Sequence, residues 1–368
     1  MNEKTQPCTH CGAVHPRVNL TWMGSAELCP ECLQRYTVCC DCCGERIWMA
    51  NDYGTHYLHL CASCRADNYV TCENCGALIP QEDAHYNDED EAYCDSCYER
   101  GYGGTIHNYS YKPEPIFYGD GPLYLGVELE VDEAGKDNIN AVQALRAFNQ
   151  ENVYGYVKSD GSLNDGFELV THPCTLETHL QQVPWRETLE ALRGMGYRSH
   201  APGTCGLHVH VGRKALGKDV YEQEETIAKL LYIFERFWQE ILRFSRRTES
   251  QINHWAARYG YKDRGEEILK EAKHGANGRY ACINLTNTDT IEFRVFRGTL
   301  KYNTVIATLQ FVVNLCRVAI SLLEYRIQEF SWPALIEALT QDNCPELVQY
   351  LKERNLYVNE PVTAEREV

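Results

Sequence analysis

The spacing of twelve cysteines in the first hundred residues constrains the fold more than any other feature of this chain. Each set consists of two Cys-x2-Cys pairs, and the second set lies 32 residues after the first. Two short knuckles that each supply two thiolates have the spacing of a tetrahedral zinc site. A repeat of this length predicts an array of small units, here residues 1–36, 37–68 and 69–100. The expected zinc ligands are Cys8, Cys11, Cys29 and Cys32; Cys40, Cys43, Cys61 and Cys64; and Cys72, Cys75, Cys94 and Cys97.

The second set is ambiguous because Cys39 and Cys42 form a competing Cys-x2-Cys pair, one residue out of register. A glycine follows the second cysteine of the first knuckle in every set, at positions 12, 44 and 76. A tight turn of backbone around a metal favours a residue that can adopt a positive φ. The glycines therefore assign the ligand positions to Cys40 and Cys43, and they leave Cys39 and Cys42 as spare thiols.

Each predicted module, of the zinc-ribbon or treble-clef type, is too small to bury a useful core. Metal ligation is expected to hold it together. Four thiolates close the coordination shell of zinc, so no position is left for a substrate or an activated water. The modules are therefore predicted to serve as a scaffold or to recruit a partner, with three structural Zn²⁺ ions.

The charge of the chain bears on what that partner is. The formal net charge is −17, and residues 1–112 contain 7 Lys and Arg against 16 Asp and Glu. Three zinc ions among twelve thiolates would take this segment to about −15. Because phosphate binding depends on basic surface, this acidity argues against naked nucleic acid and favours a basic protein or peptide.

The chain begins Met1-Asn2-Glu3-Lys4-Thr5, without an apolar signal segment, and its longest apolar stretches are interrupted by charges such as Glu235 and Arg317. Neither stretch reaches the roughly 18 apolar residues of a membrane span. A reducing compartment also suits metal-bound cysteines. These features predict a cytoplasmic protein with no membrane segment.

A second domain is expected after a Gly- and Pro-rich linker at 101–121. Residues 123–131 alternate as in a half-buried strand, with Glu128 and Glu130 on one face and apolar residues on the other. The Cα atoms of these glutamates would lie about 6.6 Å apart, so their side chains can converge on a metal ion.

Three further segments show the same alternation. Two imidazoles, His208 and His210, share a strand face; Glu292 and Arg294 share another; and Glu168 lies alone on a third. Amphipathic helices are predicted at 138–149, 176–195, 218–246 and 303–329, with shorter ones near 335 and 346. Charged strand faces and apolar helices together predict a sheet that has helices behind it and a polar surface in front.

Six motifs in this order resemble the amidoligase family, which belongs with glutamine synthetase and gamma-glutamylcysteine synthetase among the carboxylate–amine ligases. The resemblance runs from about residue 122 to residue 300, so the cysteine modules lie outside it. The motifs are Gly126-Val127-Glu128-Leu129-Glu130, Ser159-Asp160-Gly161-Ser162-Leu163, Gly166-Phe167-Glu168-Leu169-Val170-Thr171, Thr204-Cys205-Gly206-Leu207-His208-Val209-His210-Val211, Arg279-Tyr280 with Asn284, and Thr290-Ile291-Glu292-Phe293-Arg294.

The resemblance implies an α+β fold in which a curved antiparallel sheet is backed by helices, as in glutamine synthetase. The catalytic domain would span 122–330, followed by a C-terminal helical segment and tail at 331–368. The implied chemistry is ATP-dependent: a carboxylate is activated as an acyl phosphate, which an amine then attacks.

The family also implies roles for particular residues. Arg279 and Arg294 would neutralise the transferring phosphoryl group, and Asp160 would orient the substrate or deprotonate the incoming ammonium. The nucleotide would also contact His208, and His210 would either contact the nucleotide or serve as a structural partner. The implied magnesium ligands are Glu128, Glu130, Glu168, His208 and Glu292.

Alternatives remain open from the sequence. His208-x-His210 with a nearby carboxylate is also a ligand set of zinc-dependent amide or ester hydrolases, and a non-catalytic binding protein could retain the same residues. A merely polar sheet face is the plainest interpretation. The motifs do not identify the acid or the amine, which could be carried by a peptide or a protein. Residues 246–278 could close over substrate or form a solvated surface.

Overall fold

The computed structural model describes residues 5–87, 90–99, 104–274 and 278–357. The chain divides into two compact units, Met1–Gly104 and Thr105–Val368. Parts of the predicted third module (88, 89 and 100), the start of the predicted linker (101–103) and the end of the predicted tail (358–368) lie outside the described residues.

The first unit consists of short hairpins and short helices that alternate along the chain. Its elements are β1 (Thr5–Pro7), β2 (Val14–Pro16), β3 (Thr21–Met23), β4 (Ala26–Leu28), α1 (Pro30–Tyr36), β5 (Thr37–Cys39), β6 (Arg46–Trp48), α2 (Ala62–Asn68), β7 (Tyr69–Thr71), β8 (Leu78–Pro80), β9 (His85–Tyr86), β10 (Ala92–Tyr93) and α3 (Asp95–Glu99). Strands β1–β2, β3–β4, β5–β6, β7–β8 and β9–β10 pair as five separate antiparallel hairpins.

The same plan recurs in all three modules. One cysteine knuckle lies in the turn of a hairpin, and the second lies at the start of a helix, as in a treble clef. In the second module a loop takes the place of the second hairpin. Asp52 holds this loop by accepting hydrogen bonds from the backbone N–H groups of Gly54 (3.0 Å) and Leu60 (2.9 Å).

The second unit is built on a seven-stranded sheet. Its strands are β11 (Ile106–His107), β12 (Leu125–Val131), β13 (Gly155–Lys158), β14 (Phe167–Thr171), β15 (Leu207–Gly212), β16 (Ile283–Asn284) and β17 (Thr290–Phe293). The order across the sheet is β11-β13-β14-β12-β15-β17-β16. Strands β11 and β13 pair in parallel and the other neighbours pair antiparallel, so the predicted antiparallel sheet has one parallel edge.

Helices supply the second layer. They are α4 (Asn138–Phe148), α5 (Leu176–Gln181), α6 (Trp185–Gly194), α7 (Val220–Arg236), α8 (Trp238–Ser245), α9 (Glu249–Trp255), α10 (Gly265–His274), α11 (Tyr302–Ser321), α12 (Glu324–Glu329), α13 (Trp332–Leu339) and α14 (Pro345–Glu353). The class of mixed helices and sheet is as predicted, whereas kinship with the glutamine synthetase fold stays a prediction.

Three of the predicted helices are each two helices in the structure. The segment 176–195 is interrupted before Trp185, because Pro184 disfavours helical geometry in the residue that precedes it. The segment 218–246 breaks at Phe237 and the segment 303–329 breaks at 322–323, where Leu322 is extended. The stretch 246–278, which lacks a clear apolar period, contains α9 and α10.

Apolar side chains of the sheet and the helices form one continuous core. Leu125, Val127, Leu129 and Val131 of β12 are fully buried, as their alternation predicts. Helix α11 is long and apolar enough to cross a membrane, and it is the one helix in the described ranges that is. Of its apolar window, 83% is buried inside the protein, as in a core helix.

The ends of the second unit differ from the predicted boundaries. Strand β11 lies within the predicted linker 101–121, where it hydrogen-bonds to β13. The predicted C-terminal segment contributes α13 and α14, whose buried residues Leu335 and Leu347 join the main core. Residues 105–121 of the predicted linker and residues 331–357 of the predicted C-terminal segment are therefore part of the second unit.

Candidate active site

The strand register brings the charged residues together on one face of the sheet. Glu128 on β12 lies opposite His208 on β15, and His210 lies opposite Glu292 on β17. On the other side of β12, Glu130 pairs with Glu168 on β14. This arrangement follows from the period of two in each strand, because residues two apart point to the same face.

Glu128 is at the centre of this cluster. One of its carboxylate oxygens lies 3.3 Å from Nδ1 of His208, and the other lies 3.2 Å from Nε2 of His210. Nδ1 of His208 is also 3.5 Å from a carboxylate oxygen of Glu292. His210 is also 4.0 Å from Glu292, so both imidazoles lie near Glu128 and Glu292 at distances that a shared metal ion could span.

Two groups of potential metal ligands result. One consists of Glu128, Glu168 and His208, and the other of Glu128, His210 and Glu292; within each, the ligand atoms lie within 4.8 Å of one another. Glu128 belongs to both. The predicted ligands Glu128, Glu168, His208 and Glu292 are thus brought together, and His210, expected beside the nucleotide or as a structural partner, has a ligand position as well.

Glu130 lies next to these groups without joining either one. Its carboxylate accepts a hydrogen bond from the backbone N–H of Gly206, and it is 3.8 Å from Nδ1 of His208. Burial raises the pKa of Glu130. Glu130 is therefore placed to stabilise the turn at Gly206 at least as well as to bind a metal ion. The alternation of β12 predicts only the face on which Glu130 lies, so it could not distinguish these two roles.

Burial and neighbouring charge shift the pKa values of Glu128 and Glu168 in opposite directions. Burial favours the neutral form of Glu128, but the positive charge of His210 and a hydrogen bond from His208 hold its pKa well below the usual range. Burial, together with the negative charge of Glu128, raises the pKa of Glu168 well above the usual range. Carboxylates this crowded repel one another, so bound cations would stabilise the site.

Basic side chains flank the acidic cluster. Arg294 forms an ion pair with one oxygen of Glu292, and Asn284 donates to the other at 2.8 Å. Lys158, which the sequence analysis did not single out, lies 3.3 Å from Glu168. Tyr156 and Lys158 are two residues apart, just before the Ser159-Asp160 motif, and this alternation could have predicted that both lie on the polar face of a strand.

The ligand groups lie in a cleft of about 830 Å³ that Asp160 and Arg279 also line. Arg279 donates to the hydroxyl groups of Tyr109 and Tyr280, and it is exposed. The predicted residues therefore share one cleft, with the metal groups on the sheet and Asp160 and Arg279 along its walls.

Asp132 is a buried residue of this region that sequence reasoning missed. Its carboxylate accepts hydrogen bonds from the backbone N–H groups of Asn164 (3.1 Å) and Asp165 (2.6 Å) and from the Thr204 hydroxyl (3.0 Å). It thereby ties the loop after β13, which contains Asp160, to the turn before β15. A single aspartate at the end of a strand gives no periodic signal of such a role.

The twelve predicted zinc ligands form three clusters in the first unit. In each, the four sulfur atoms lie within 4.8 Å of one another. Three inter-knuckle Sγ–Sγ distances are 3.9 Å (Cys11–Cys29), 3.8 Å (Cys43–Cys61) and 3.9 Å (Cys75–Cys94). A tetrahedron with Zn–S bonds of about 2.3 Å has edges of roughly 3.8 Å, so the clusters fit zinc.

The second cluster contains Cys40 and Cys43, the register that the glycines predict. Gly12, Gly44 and Gly76 have φ values of 74°, 75° and 72°, and Cys39 and Cys42 are exposed outside the second cluster. Backbone N–H groups lower the pKa of Cys8 and of Cys40 to about 6, which favours the thiolate form that binds metal.

Comparison with known proteins supports the resemblance seen in the sequence. Residues 146–316 match the family described as "Putative amidoligase enzyme". No curated protein matches the chain.

Among solved structures, the chain is similar to a bifunctional glutathione synthetase from Pasteurella multocida, with 15% identity over 63% of this chain and a TM-score of 0.31. It is also similar to the complex between the prokaryotic ubiquitin-like protein Pup and its ligase PafA, with 10% identity over 63% of this chain and a TM-score of 0.29. The chain spans 46% and 62% of the lengths of those two chains.

Proposed function

From the premise that residues 146–316 match the amidoligase family, we propose that the second unit is an ATP-dependent carboxylate–amine ligase that works through an acyl phosphate. The observation that carries the proposal is the pair of ligand groups that share Glu128. These groups would hold divalent ions, which would offset the negative charge of the ATP phosphates and the charge that develops during phosphoryl transfer.

The ligand chemistry supports hard cations. Each group contains two carboxylates and one imidazole. Magnesium and manganese prefer oxygen ligands, whereas zinc hydrolase sites commonly place two or three histidines on one ion. Among the described residues, His208 and His210 fall into different groups, so the arrangement favours the ligase over the hydrolase that the sequence left open.

The basic residues have complementary positions. Arg294 lies on the sheet beside Glu292, and Arg279 lies on the rim of the cleft. We assign Arg294 to the transferring phosphoryl group and Arg279 to the substrate or to the acyl-phosphate oxygens, since a guanidinium stabilises charge on both. Asp160, on the loop tied down by Asp132, would orient the amine or accept its proton.

The zinc modules would then serve as a scaffold or recruit the substrate. Their acidity would favour a peptide or protein with basic residues. In this proposal the carboxylate or the amine that is joined belongs to such a macromolecule.

Nucleotide binding tests the central step. The melting temperature of the second unit should rise with ATP plus Mg²⁺ or Mn²⁺ and should not rise with ATP alone, because the phosphates are held through the metal. A ligand at 100 times its dissociation constant adds about 2.7 kcal/mol to stability. Glu128→Gln should abolish the shift, since it removes the negative charge that both ions share.

Glu151→Gln is a matched control. Glu151 is exposed and lies outside the cleft, so this substitution removes the same charge away from the proposed metal ligands. It should retain the full nucleotide-dependent shift. Absence of nucleotide binding with every divalent ion, or unchanged binding by Glu128→Gln, would overturn the proposal and favour the hydrolase.

A further inference from the structure

Arg247 is a buried cation in the cleft that neither the motifs nor the proposed mechanism uses. It follows Arg246, which ends α8 in the left-handed conformation at φ 65° and so turns the chain back toward the sheet. The residue is 6% exposed, and it lines the cleft together with Glu130, Thr204 and His208.

The guanidinium of Arg247 lacks partners for most of its donors. Nη2 donates to the backbone carbonyl of Phe296 at 3.3 Å. Nε and Nη1 are buried and have no hydrogen-bond partner in the part of the chain that the structure describes. Arg294, by comparison, forms an ion pair with Glu292. A buried cation with most of its donors unpaired is costly, so such a group is expected to have a ligand.

The backbone makes room for this guanidinium beside a metal ligand. A Cβ atom on Gly206 would lie 2.9 Å from Nη2 of Arg247 and 2.3 Å from Nε2 of His208. Only glycine therefore lets both side chains approach the turn before β15. Burial lowers the pKa of Arg247 to about 10, so the side chain still carries its charge at neutral pH.

We propose that Arg247 binds an oxyanion directly in the cleft, next to His208, with the donors that the protein leaves unpaired. A guanidinium presents several N–H groups in a plane and suits the oxygens of a phosphoryl group or of a carboxylate. The source of the anion rests on the proposed ligase function. In such a ligase the ligand is either the terminal phosphate of ATP or the carboxylate that becomes the acyl phosphate.

The test compares wild-type protein with Arg247→Met, which keeps most of the side-chain length and removes the charge, and with Arg247→Lys, which keeps the charge and removes the planar donors. Dissociation constants are measured by calorimetry for inorganic phosphate, for ADP and for a non-hydrolysable ATP analogue, each with Mg²⁺. Arg243→Met is the control, because Arg243 is exposed on the preceding helix α8 and lies outside the cleft. Melting curves and circular dichroism establish that each variant is folded.

Arg247→Met should weaken binding of phosphate at least tenfold, Arg247→Lys should weaken it less, and Arg243→Met should leave it unchanged. A matching loss for the ATP analogue, with ADP unaffected, would identify the terminal phosphate as the ligand. A loss for free phosphate alone would identify the carboxylate and acyl-phosphate side.

Two results overturn the proposal: Arg247→Met binds phosphate and the analogue as tightly as wild type, or folded wild-type protein binds neither. Failure of the ligase hypothesis is distinct from these. In that case wild-type protein would bind no nucleotide but would still bind phosphate in a manner that depends on Arg247.

Discussion

The charge states of the glutamates on the polar face of the sheet depend on neighbouring residues from other strands. Glu128 keeps its negative charge although it is buried, because two histidines from the adjacent strand contact it. Glu168 is pushed toward its neutral form by burial and by Glu128, while Lys158 at 3.3 Å opposes that shift. The ionised form of Glu128 is therefore stabilised in the folded protein, whereas the ionised forms of Glu168 and Glu130 are disfavoured.

At the residue scale, the cysteine register can be tested through metal content. Replacing Cys39 or Cys42 with serine should leave three zinc ions per chain, since both thiols are exposed and lie outside the clusters. Cys40→Ser should reduce the content to about two, because three thiolates bind zinc less tightly than four. Elemental analysis of protein washed with a weak chelator measures this. Equal zinc loss in Cys39→Ser and Cys40→Ser would contradict the assigned register.

The elements show which features a sequence pattern can predict. The strand faces of Glu128, His208 and Glu292 followed from alternation alone, because one buried face fixes the direction of every second side chain. The order of the strands did not follow, since pairing across the sheet depends on contacts between residues that are distant in sequence. The pairs Glu128–His208 and His210–Glu292 were therefore beyond prediction, although their members had been identified.

Short elements and interruptions were also difficult to predict. Strand β11 has two residues and lies in the Gly- and Pro-rich stretch 101–121, whose composition predicted a linker. Asp132 and Arg247 make hydrogen bonds to segments that are distant in sequence, and such contacts leave no periodicity in the sequence. Within the modules, by contrast, the spacing of the cysteines contained the whole arrangement, because the metal and not a core determines the fold.

At the scale of elements, Asp132 should stabilise the loop after β13. The carboxylate of Asp132 accepts four hydrogen bonds, two on each oxygen, and one of them comes from the backbone N–H of Glu133 at 3.0 Å. Asp132→Asn replaces one of these oxygens with an NH₂ group, which cannot accept hydrogen bonds. We expect a loss of about 2–3 kcal/mol in the free energy of unfolding at pH 7, measured by urea denaturation of the second unit. Amide exchange in residues 159–166 should accelerate.

The effect of Asp132→Asn should also depend on pH. Burial favours the neutral acid, but the hydrogen bonds from the amides of Asp165 and Asn164 lower its pKa in the folded protein. The stabilisation is therefore fully present above the unfolded pKa of about 3.9 and is lost as the pH falls through the folded value. The difference between wild type and variant should shrink below about pH 4. Glu133→Gln, an exposed neighbour, is the control; a loss of the same size there would refute the role of Asp132.

On the scale of the whole molecule, the two units derive their stability from different sources. The large core lies entirely in the second unit and extends from Leu125 to Leu356. The described part of the first unit has three small buried clusters. In each of them the buried cysteines outnumber the other buried apolar side chains, which are Leu28, Leu60 and Tyr93. Burial of so few side chains cannot offset the conformational entropy of about a hundred residues, so metal ligation must make up the difference.

Removal of zinc should therefore unfold one unit and spare the other. A strong chelator should extract about three zinc ions per chain, and proteolysis should then become fast within residues 5–99 while residues 105–357 stay resistant. The nucleotide-dependent shift in melting temperature of the second unit should survive if Mg²⁺ is restored after zinc is chelated, because its ligand groups contain no cysteine. Re-addition of Zn²⁺ should restore protection of the first unit, and mass spectrometry of the fragments would locate every cleavage. Simultaneous digestion of both units after chelation, or a first unit that stays resistant without zinc, would show that the two are not independently stabilised in this way.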